Sequence, residues 1–288
     1  MTTGTMHDEV GHPHDAVAAV VRTRNSAGSL PRCLASLREQ SVPVNIIAVD
    51  SGSTDDTLLV LDGSADQVVH MRQEDFSYGR SLNVGFEAAG AAQVVLVLSS
   101  HCELAGPLHL EKALRLHEDS SVAATCGSAV AADGRLIQGV HRAWTWPEAG
   151  NPWWGLSNHC ATYRRDVFEK HRFDESIVAS EDKHWARRVH EAGYSIAYTD
   201  ALYRATTHRR AAGMPALYRR GKTEATGTAQ ALWPERLGVQ HVLKDFARLP
   251  RGGRFPPLAY VASPYRIVEA IGRLAGVRAK AQPQLVQR

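Results

Sequence analysis

Three apolar runs end on side chains able to do chemistry. VVLVLSSHCEL (94–104) stops at Ser99, Ser100, His101, Cys102 and Glu103. VNIIAVD (44–50) ends on Asp50 and passes into SGSTDDT, and AVAAVVRTRN (16–25) ends on Thr23, Arg24 and Asn25. A carboxylate that closes a strand, as Asp50 would, is an acceptor for the imide N–H of a pyrimidine or for a ribose hydroxyl. The rest of VDSGSTDDT needs no ligand to explain it: Gly52 permits a tight turn, Ser53 or Thr54 can cap a helix, and Asp55 and Asp56 suit its first turn. His101 is either a hydrogen-bonded structural histidine or a metal ligand. Imidazole suits manganese, iron, cobalt or zinc better than magnesium.

The segments that must position these ends alternate by hydrophobic period. AVAAVVRT, VNIIAVD, QVVHMR and AQVVLVLSS read as strands; SLPRCLASLREQ, TDDTLLVLDGS and GRSLNVGFEAAG read as helices between them. Such alternation predicts an α/β fold with a mostly parallel central sheet and helices on both faces. Ligands in these sheets sit beyond the carboxyl ends of the strands, where the three reactive stretches fall. After about residue 105 come a helix in HLEKALRLHED, strands in SVAATCGSAV and RLIQGVHRAWTW, and a Pro/Gly loop carrying Trp153 and Trp154. A helix in YRRDVFEKH, the loop FDESIVASED, a helix in DKHWARRVHEAG capped by Gly193 and the strand YSIAYTD follow. Beyond that strand the chain reads as basic and irregular, with helices expected in HVLKDFARL and near YRIVEAIGRLAGVRAK. The pattern divides into a disordered leader (1–15), a nucleotide-binding half (16–105), an acceptor-binding and catalytic half of the same domain (106–212) and a basic, mainly helical extension (213–288).

Composition narrows the function classes. The 288 residues carry 33 Lys and Arg against 30 Asp and Glu, and a net charge of +3 gives no case for nucleic acid. Cys33, Cys102, Cys126 and Cys160 form no CxxC pair, which argues against structural zinc or a disulfide framework. The polar, acidic N-terminus is unlike a signal peptide, and the longest apolar run is too short to span a bilayer. A cytoplasmic protein is expected, with peripheral membrane contact and a homodimer both left open. No GxGxxG follows a strand, which disfavours a dinucleotide dehydrogenase. RTRNSAGSLPR lacks the glycine-rich basic loop of a nucleotidyltransferase.

VVRTRNSAGSLPRCLASLREQSVPVNIIAVDSGSTDDT, FSYGRSLNVGFEAAGAAQVVLVLSSHCEL and FDESIVASEDKHWARRVHEAGYSIAYTDALY together resemble a family 2 glycosyltransferase. The resemblance covers roughly residues 16 to 210, is strongest to the rhamnosyltransferase-like branch, and implies a GT-A fold. It implies that Thr23, Arg24 and Asn25 line the base and ribose site with Asp50 and Ser53, Arg24 standing where an aromatic ring often stacks. Arg80 and Asn83 would face the ribose and diphosphate. Ser99, Ser100 and His101 occupy the family's DxD motif, so its metal-binding position falls to His101, with Glu103 and His208 as further ligands. Three states stay open at that edge: a transition-metal site, a metal-free site neutralised by Arg and Lys, or a nucleotide binder without turnover. Asp182 in SED would be the base and Glu181 the group that orients the acceptor or the loop, with the roles exchangeable; Asp182 can also be read as a helix N-cap. Trp153, Trp154, Asn158 and Trp185 would form the acceptor wall, although Trp is also a normal core anchor. The basic tract 208–222 is read as closing over the diphosphate, as solvated charge or as a contact with anionic lipid.

The expected activity is transfer of a sugar, with inversion, from a nucleoside diphosphate to a hydroxyl of a small molecule, glycan or lipid-linked acceptor. UDP and dTDP are the first donors to consider, because Asp50 suits a pyrimidine. A non-catalytic sugar-nucleotide binder is the alternative that the absent DxD aspartates suggest.

Overall fold

The computed structural model describes residues 17–130, 156–205, 213–231, 242–243 and 264–279. Eight strands form one mixed sheet: β1 (Val17–Thr23), β2 (Asn45–Asp50), β3 (Gln67–His70), β4 (Val94–Ser99), β5 (Cys102–Leu104), β6 (Val122–Val130), β7 (Cys160–Arg164) and β8 (Ser195–Ala205). Their order is β3-β2-β1-β4-β7-β6-β8-β5. β1 to β4 pair in parallel, as the alternating pattern predicts; β7 joins antiparallel to β4, and β5 antiparallel to β8. The carboxyl ends of β1, β2 and β4 therefore lie side by side.

Alternation along β1 splits the core into two layers. Val17, Ala19 and Val21 meet α1 (Leu30–Arg38), whose Leu30, Cys33, Leu34 and Leu37 recur at helical spacing and are all buried. Burial of each such side chain contributes roughly 1.5–3 kcal/mol. α2 (Thr57–Leu61) and α4 (His109–His117) pack on the same face. Ala18 and Val20 face the opposite layer of α3 (Tyr78–Ala88), α5 (Arg165–Lys170) and α6 (Glu181–Glu191), built on Leu82, Phe86, Phe168 and Trp185. Gly85 brings α3 against β1: a Cβ there would lie 3.2 Å from methyl carbons of Val20 and Val49.

Two expectations change. The stretch TDDTLLVLDGS holds only the five-residue α2, with Asp56 at its N-cap and Asp55 ahead of it, so neither acid lies in a first helical turn. The mainly helical extension expected at 213–288 is present, but its 19-residue helix α7 (Gly213–Ala231), which pairs with α8 (Pro264–Ala279), falls in a stretch where the hydrophobic pattern by itself marks no helix. Helical spacing in YRRGKTEATGTAQA is masked in sequence by the small residues through which the two helices pack. Trp153, Trp154, His208 and most of HVLKDFARL lie outside the described residues. All four cysteines are buried thiols, and no helix among the described residues is long and apolar enough to cross a membrane.

Candidate active site

The ends of β1 and β2 are tied together through their own turns. Asn25 adopts a left-handed conformation (φ 47), and its Oδ1 accepts the Thr54 N–H at 2.7 Å. The Asn25 N–H donates to Ser53 Oγ at 2.9 Å, and Ser53 Oγ in turn donates to Asp50. Asp50, 2 % exposed, accepts the N–H groups of Gly52 and Ser53, each at 3.1 Å. Asp55 accepts the N–H groups of Thr57 and Ala27. The Thr57 hydroxyl bond is the main cause that holds the Asp55 carboxyl below the usual range, against the opposing effect of desolvation. Ser26 links this rim to β4 by a 2.9 Å hydrogen bond with Ser100. The Thr23 hydroxyl is buried and has no hydrogen-bond partner among the described residues.

On the other face of the sheet, Arg22 and Ser99 are register partners on β1 and β4. Arg22 donates to Glu181 Oε1 at 3.2 Å and lies 5.3 Å from the centre of the Tyr78 ring. The Ser99 hydroxyl donates to the Asn158 carbonyl at 3.0 Å. Asn158 continues the chain: its N–H donates to Asp182 Oδ2 at 3.2 Å, and its Nδ2 to Glu181 Oε1 at 3.0 Å. Tyr163 donates its hydroxyl to Asn158 Oδ1. Asp182 Oδ1 accepts both the backbone N–H (2.8 Å) and the ammonium (3.2 Å) of Lys183.

Glu181 and Asp182 are 5 % and 8 % exposed, at the first turn of α6, whose dipole favours negative charge. Burial, and then the neighbouring Asp182 charge, push the Glu181 pKa up despite Arg22 and the Asn158 amide. Burial works against the Lys183 charge, yet the Asp182 carboxylate and then Glu181 and Glu224 outweigh it and raise its pKa. The site therefore holds two buried acids, each facing its own cation.

At the turn between β4 and β5, the His101 ring meets that of His159 edge-on, with centres 5.2 Å apart. Ser157 Oγ lies 3.1 Å from His159 Nδ1. Ser29, Arg32, His101, Cys102 and Glu103 line a shallow hollow beside this turn. Glu103 lines the same hollow as His101. Its carboxylate sits between Arg32 Nε (3.7 Å) and Arg204 Nη1 (3.6 Å), because β5 pairs with β8 and sets Glu103 opposite Arg204. Among the described residues no three His, Cys, Asp or Glu side chains converge to hold a metal ion. This donor set does not fit the oxygen cage that a hard divalent cation requires.

Other expected contacts are corrected by packing. Trp185 is fully buried, donates its indole N–H to the His171 carbonyl and packs against Tyr163 and Phe173, so it is a core residue and not part of an acceptor wall. Asn83 exchanges hydrogen bonds with the backbone of Phe173 and donates to Glu175, which takes up its amide and leaves none for a diphosphate. Asn158 holds the two acids instead of lining an exposed wall. Arg80 is half-exposed with its guanidinium 3.9 Å from Asp75, and Arg24 donates to Gln73 at 2.7 Å. Arg22, Lys183 and His159 were missed. The alternation Ala18, Val20, Arg22 was the available signal for Arg22: it puts a cation on the α6 side of the strand end.

Residues 18–172 match the Glycosyl transferase family 2 model, and the chain belongs to that family. It is 26 % identical over 198 residues to the O-antigen chain rhamnosyltransferase RfbN of Salmonella typhimurium, covering 63 % of each chain. It is 28 % identical over 175 residues to the O-antigen chain rhamnosyltransferase WbaN of Salmonella anatum, covering 56 % of each. The match thus spans about three fifths of the length of these relatives. Among solved structures, the mannosyltransferase PcManGT of Pyrobaculum calidifontis, in complex with GDP-Man and Mn2+, superposes with a TM-score of 0.58 at 20 % identity. That superposition covers 92 % of this chain and 73 % of the other. TarS of S. aureus in complex with UDP gives 0.57 at 17 %, covering 93 % and 92 %. The expected GT-A fold is thereby established.

Proposed function

We propose that this chain transfers a sugar, with inversion, from a nucleoside diphosphate to an acceptor hydroxyl, and that the sugar is rhamnose or a similar deoxyhexose. The names of the two Salmonella relatives support the sugar. The observation that carries the reading is the continuous chain Ser99–Asn158–Asp182, with Arg22–Glu181 beside it, which joins the acids of α6 to the strand ends where the donor would sit. Asp182 would take the proton from the acceptor hydroxyl as its oxygen bonds to the anomeric carbon. The bond from that carbon to the diphosphate oxygen breaks, and the diphosphate leaves with the electron pair. Glu181, anchored by Arg22 and Asn158, would orient the acceptor.

Asp50 and Thr23 would meet the base and ribose at the neighbouring rim, Asp50 through the acceptor capacity its turn leaves over. A divalent cation, where one binds, supplies charge neutralisation to a leaving diphosphate. The poor fit of the described residues to a hard cation shifts that task to cationic side chains, with Arg24 following β1 and Arg32 lining the hollow at His101 as candidates. Replacement of the DxD acid by His101 also favours a second reading, a binder without turnover.

Calorimetric titration with UDP, dTDP and GDP, each with and without Mn2+, tests the assignment. One pyrimidine diphosphate is expected to bind, with at most a small gain from Mn2+. If none of the three binds in either condition, the chain is not a nucleotide-sugar enzyme.

A further inference from the structure

The two acids stand on a turn held from outside the sheet. Ser180, immediately before them, is left-handed (φ 65) and gives α6 no side-chain cap. A serine keeps that conformation only where its surroundings fix it. α7 supplies the surroundings. Thr228 is fully buried and shares a 2.7 Å hydrogen bond with the Ser180 hydroxyl. One residue earlier, Gly227 lies so close to the chain that a Cβ there would be 2.6 Å from the Ala179 carbonyl carbon and nearer still to its oxygen. Three residues before Gly227, Glu224 adds its charge to those acting on Lys183, the partner of Asp182. The contacts fall on residues 179 and 180 and the charge acts on 183, so together they bracket Glu181 and Asp182.

α7 is itself locked in place. A Cβ at Gly221 would lie 2.6 Å from the Glu269 carbonyl oxygen of α8, and Gly272 and Gly276 approach the carbonyls of Tyr218 and Lys222 as closely. Arg273 of α8 reaches Glu224 at 3.8 Å, and Thr226 donates to the Gly276 carbonyl at 3.3 Å. A pair of helices packed side by side in parallel, in sequence beyond the residues that match the family model, thus bears on the turn that carries the acids.

We propose that α7 is a positioning element of the transferase site: Gly227 and Thr228 hold Ser180 in its left-handed turn and so aim Glu181 at Arg22 and Asp182 at Asn158. The proposal rests on the reading of Asp182 as base. Its consequence is that damage to α7 acts on the chemistry and not on donor binding, because the strand-end rim makes no use of that turn.

The test compares Thr228→Val, Thr228→Ser and Gly227→Ala with the parent protein. Thr228→Val keeps the shape of the side chain and removes only the hydroxyl, so it reports even if Gly227→Ala fails to fold. Two readouts separate positioning from bulk stability. The first is the titration of the Glu181 carboxylate by 13C NMR, assigned with Glu181→Gln. Glu181 is faced by Arg22 from β1, Asp182 and Lys183 from α6, Tyr163 from β7 and the Asn158 amide, while Glu224 from α7 acts on Lys183. A loosened turn admits water, and the Glu181 midpoint is expected to fall toward the ordinary carboxylate value. The second is steady-state transfer from dTDP-rhamnose or UDP-glucose, with water as acceptor if no other is found. kcat is expected to drop about tenfold to a hundredfold with KM for the donor unchanged, and Thr228→Ser should restore both readouts. Folded Thr228→Val and Gly227→Ala proteins with an unmoved Glu181 titration would overturn the positioning role. Transfer that survives Asp182→Asn would overturn the base assignment, and with it the catalytic half of the proposal, while the titration still judges the geometry.

Discussion

Two rims of the same sheet edge use acidic residues in opposite ways. At the β1–β2 rim, the oxygens of Asp50 and Asp55 accept backbone N–H groups and hydroxyls of their own turns and, for Asp55, the Ala27 N–H of the loop after β1. These acids shape loops. At the start of α6, Glu181 and Asp182 meet cations, Arg22 and Lys183, in a buried environment, and their remaining contacts run to the single residue Asn158. These acids hold charge. Hydrogen bonds favour the ionised form of Asp55, whereas burial and the neighbouring carboxylate disfavour that of Glu181 despite Arg22.

The change that breaks the contrast most sharply is Asp182→Asn. The amide keeps the shape and can still accept from Asn158, but it is not a base. Loss of a positioned general base is expected to cut kcat by a factor of about 10² to 10⁴ while calorimetric donor affinity stays within about twofold. Transfer at the parent rate in this variant would leave the α6 acids as mere helix-end residues.

A smaller effect, of opposite sign at the two rims, is expected in the pH dependence of stability. Hydrogen bonds lower the Asp55 pKa, so the native state binds its proton less tightly than the unfolded chain. The stability this contributes is present above the ordinary aspartate value of 3.8 and is lost as pH falls through the lowered folded value. Glu181 runs the other way. Its folded pKa is raised above the ordinary glutamate value of 4.5, so stability declines as pH rises from there through the folded value. Chemical denaturation between acid and neutral pH checks both. Asp55→Asn should lose its deficit relative to the parent at low pH, and Glu181→Gln should show a flatter decline than the parent as pH rises. Parallel curves for Glu181→Gln and the parent would place Glu181 in an ordinary solvated setting.

How much of this was legible in the sequence follows from the range of the interactions. Period-two and period-3.6 patterns fix β1 to β4, α1, α3 and α6, because each pattern is local and its residues are buried by neighbours of the same segment. Gly193, expected to end α6, does so with φ 91. Side-chain roles were less visible, since they depend on partners far along the chain. Asn83 is engaged by Phe173, 90 residues away, and Asn158 by Glu181 and Asp182. Trp185 reads as a stacking platform until α6 is docked with that face on Tyr163. The extension reads as mainly helical, but the place of α7 within it is hard to see for a related reason: Gly221, Ala225, Thr226, Gly227 and Thr228, through which it packs, carry little hydrophobic signal until their partners are in place.

The smallest predicted effect concerns Glu103, expected as a metal ligand and paired in the structure with Arg32 and Arg204. As a metal ligand it would be indispensable to a cation-dependent reaction. As the acid between Arg32 and Arg204 it joins two ion pairs whose guanidinium partners are 63 % and 46 % exposed. Such pairs are screened by water and contribute about 0–1 kcal/mol. Glu103→Gln is therefore expected to leave the denaturation midpoint almost unchanged and to leave untouched whatever Mn2+ dependence the parent shows. The variant also frees positive charge on Arg32 beside the hollow at His101, so diphosphate affinity should rise slightly at low salt and the gain should vanish at high salt. A loss of Mn2+ response in Glu103→Gln would instead return this carboxylate to a metal site, and the β4 end would then resemble the α6 end in using its acid for charge.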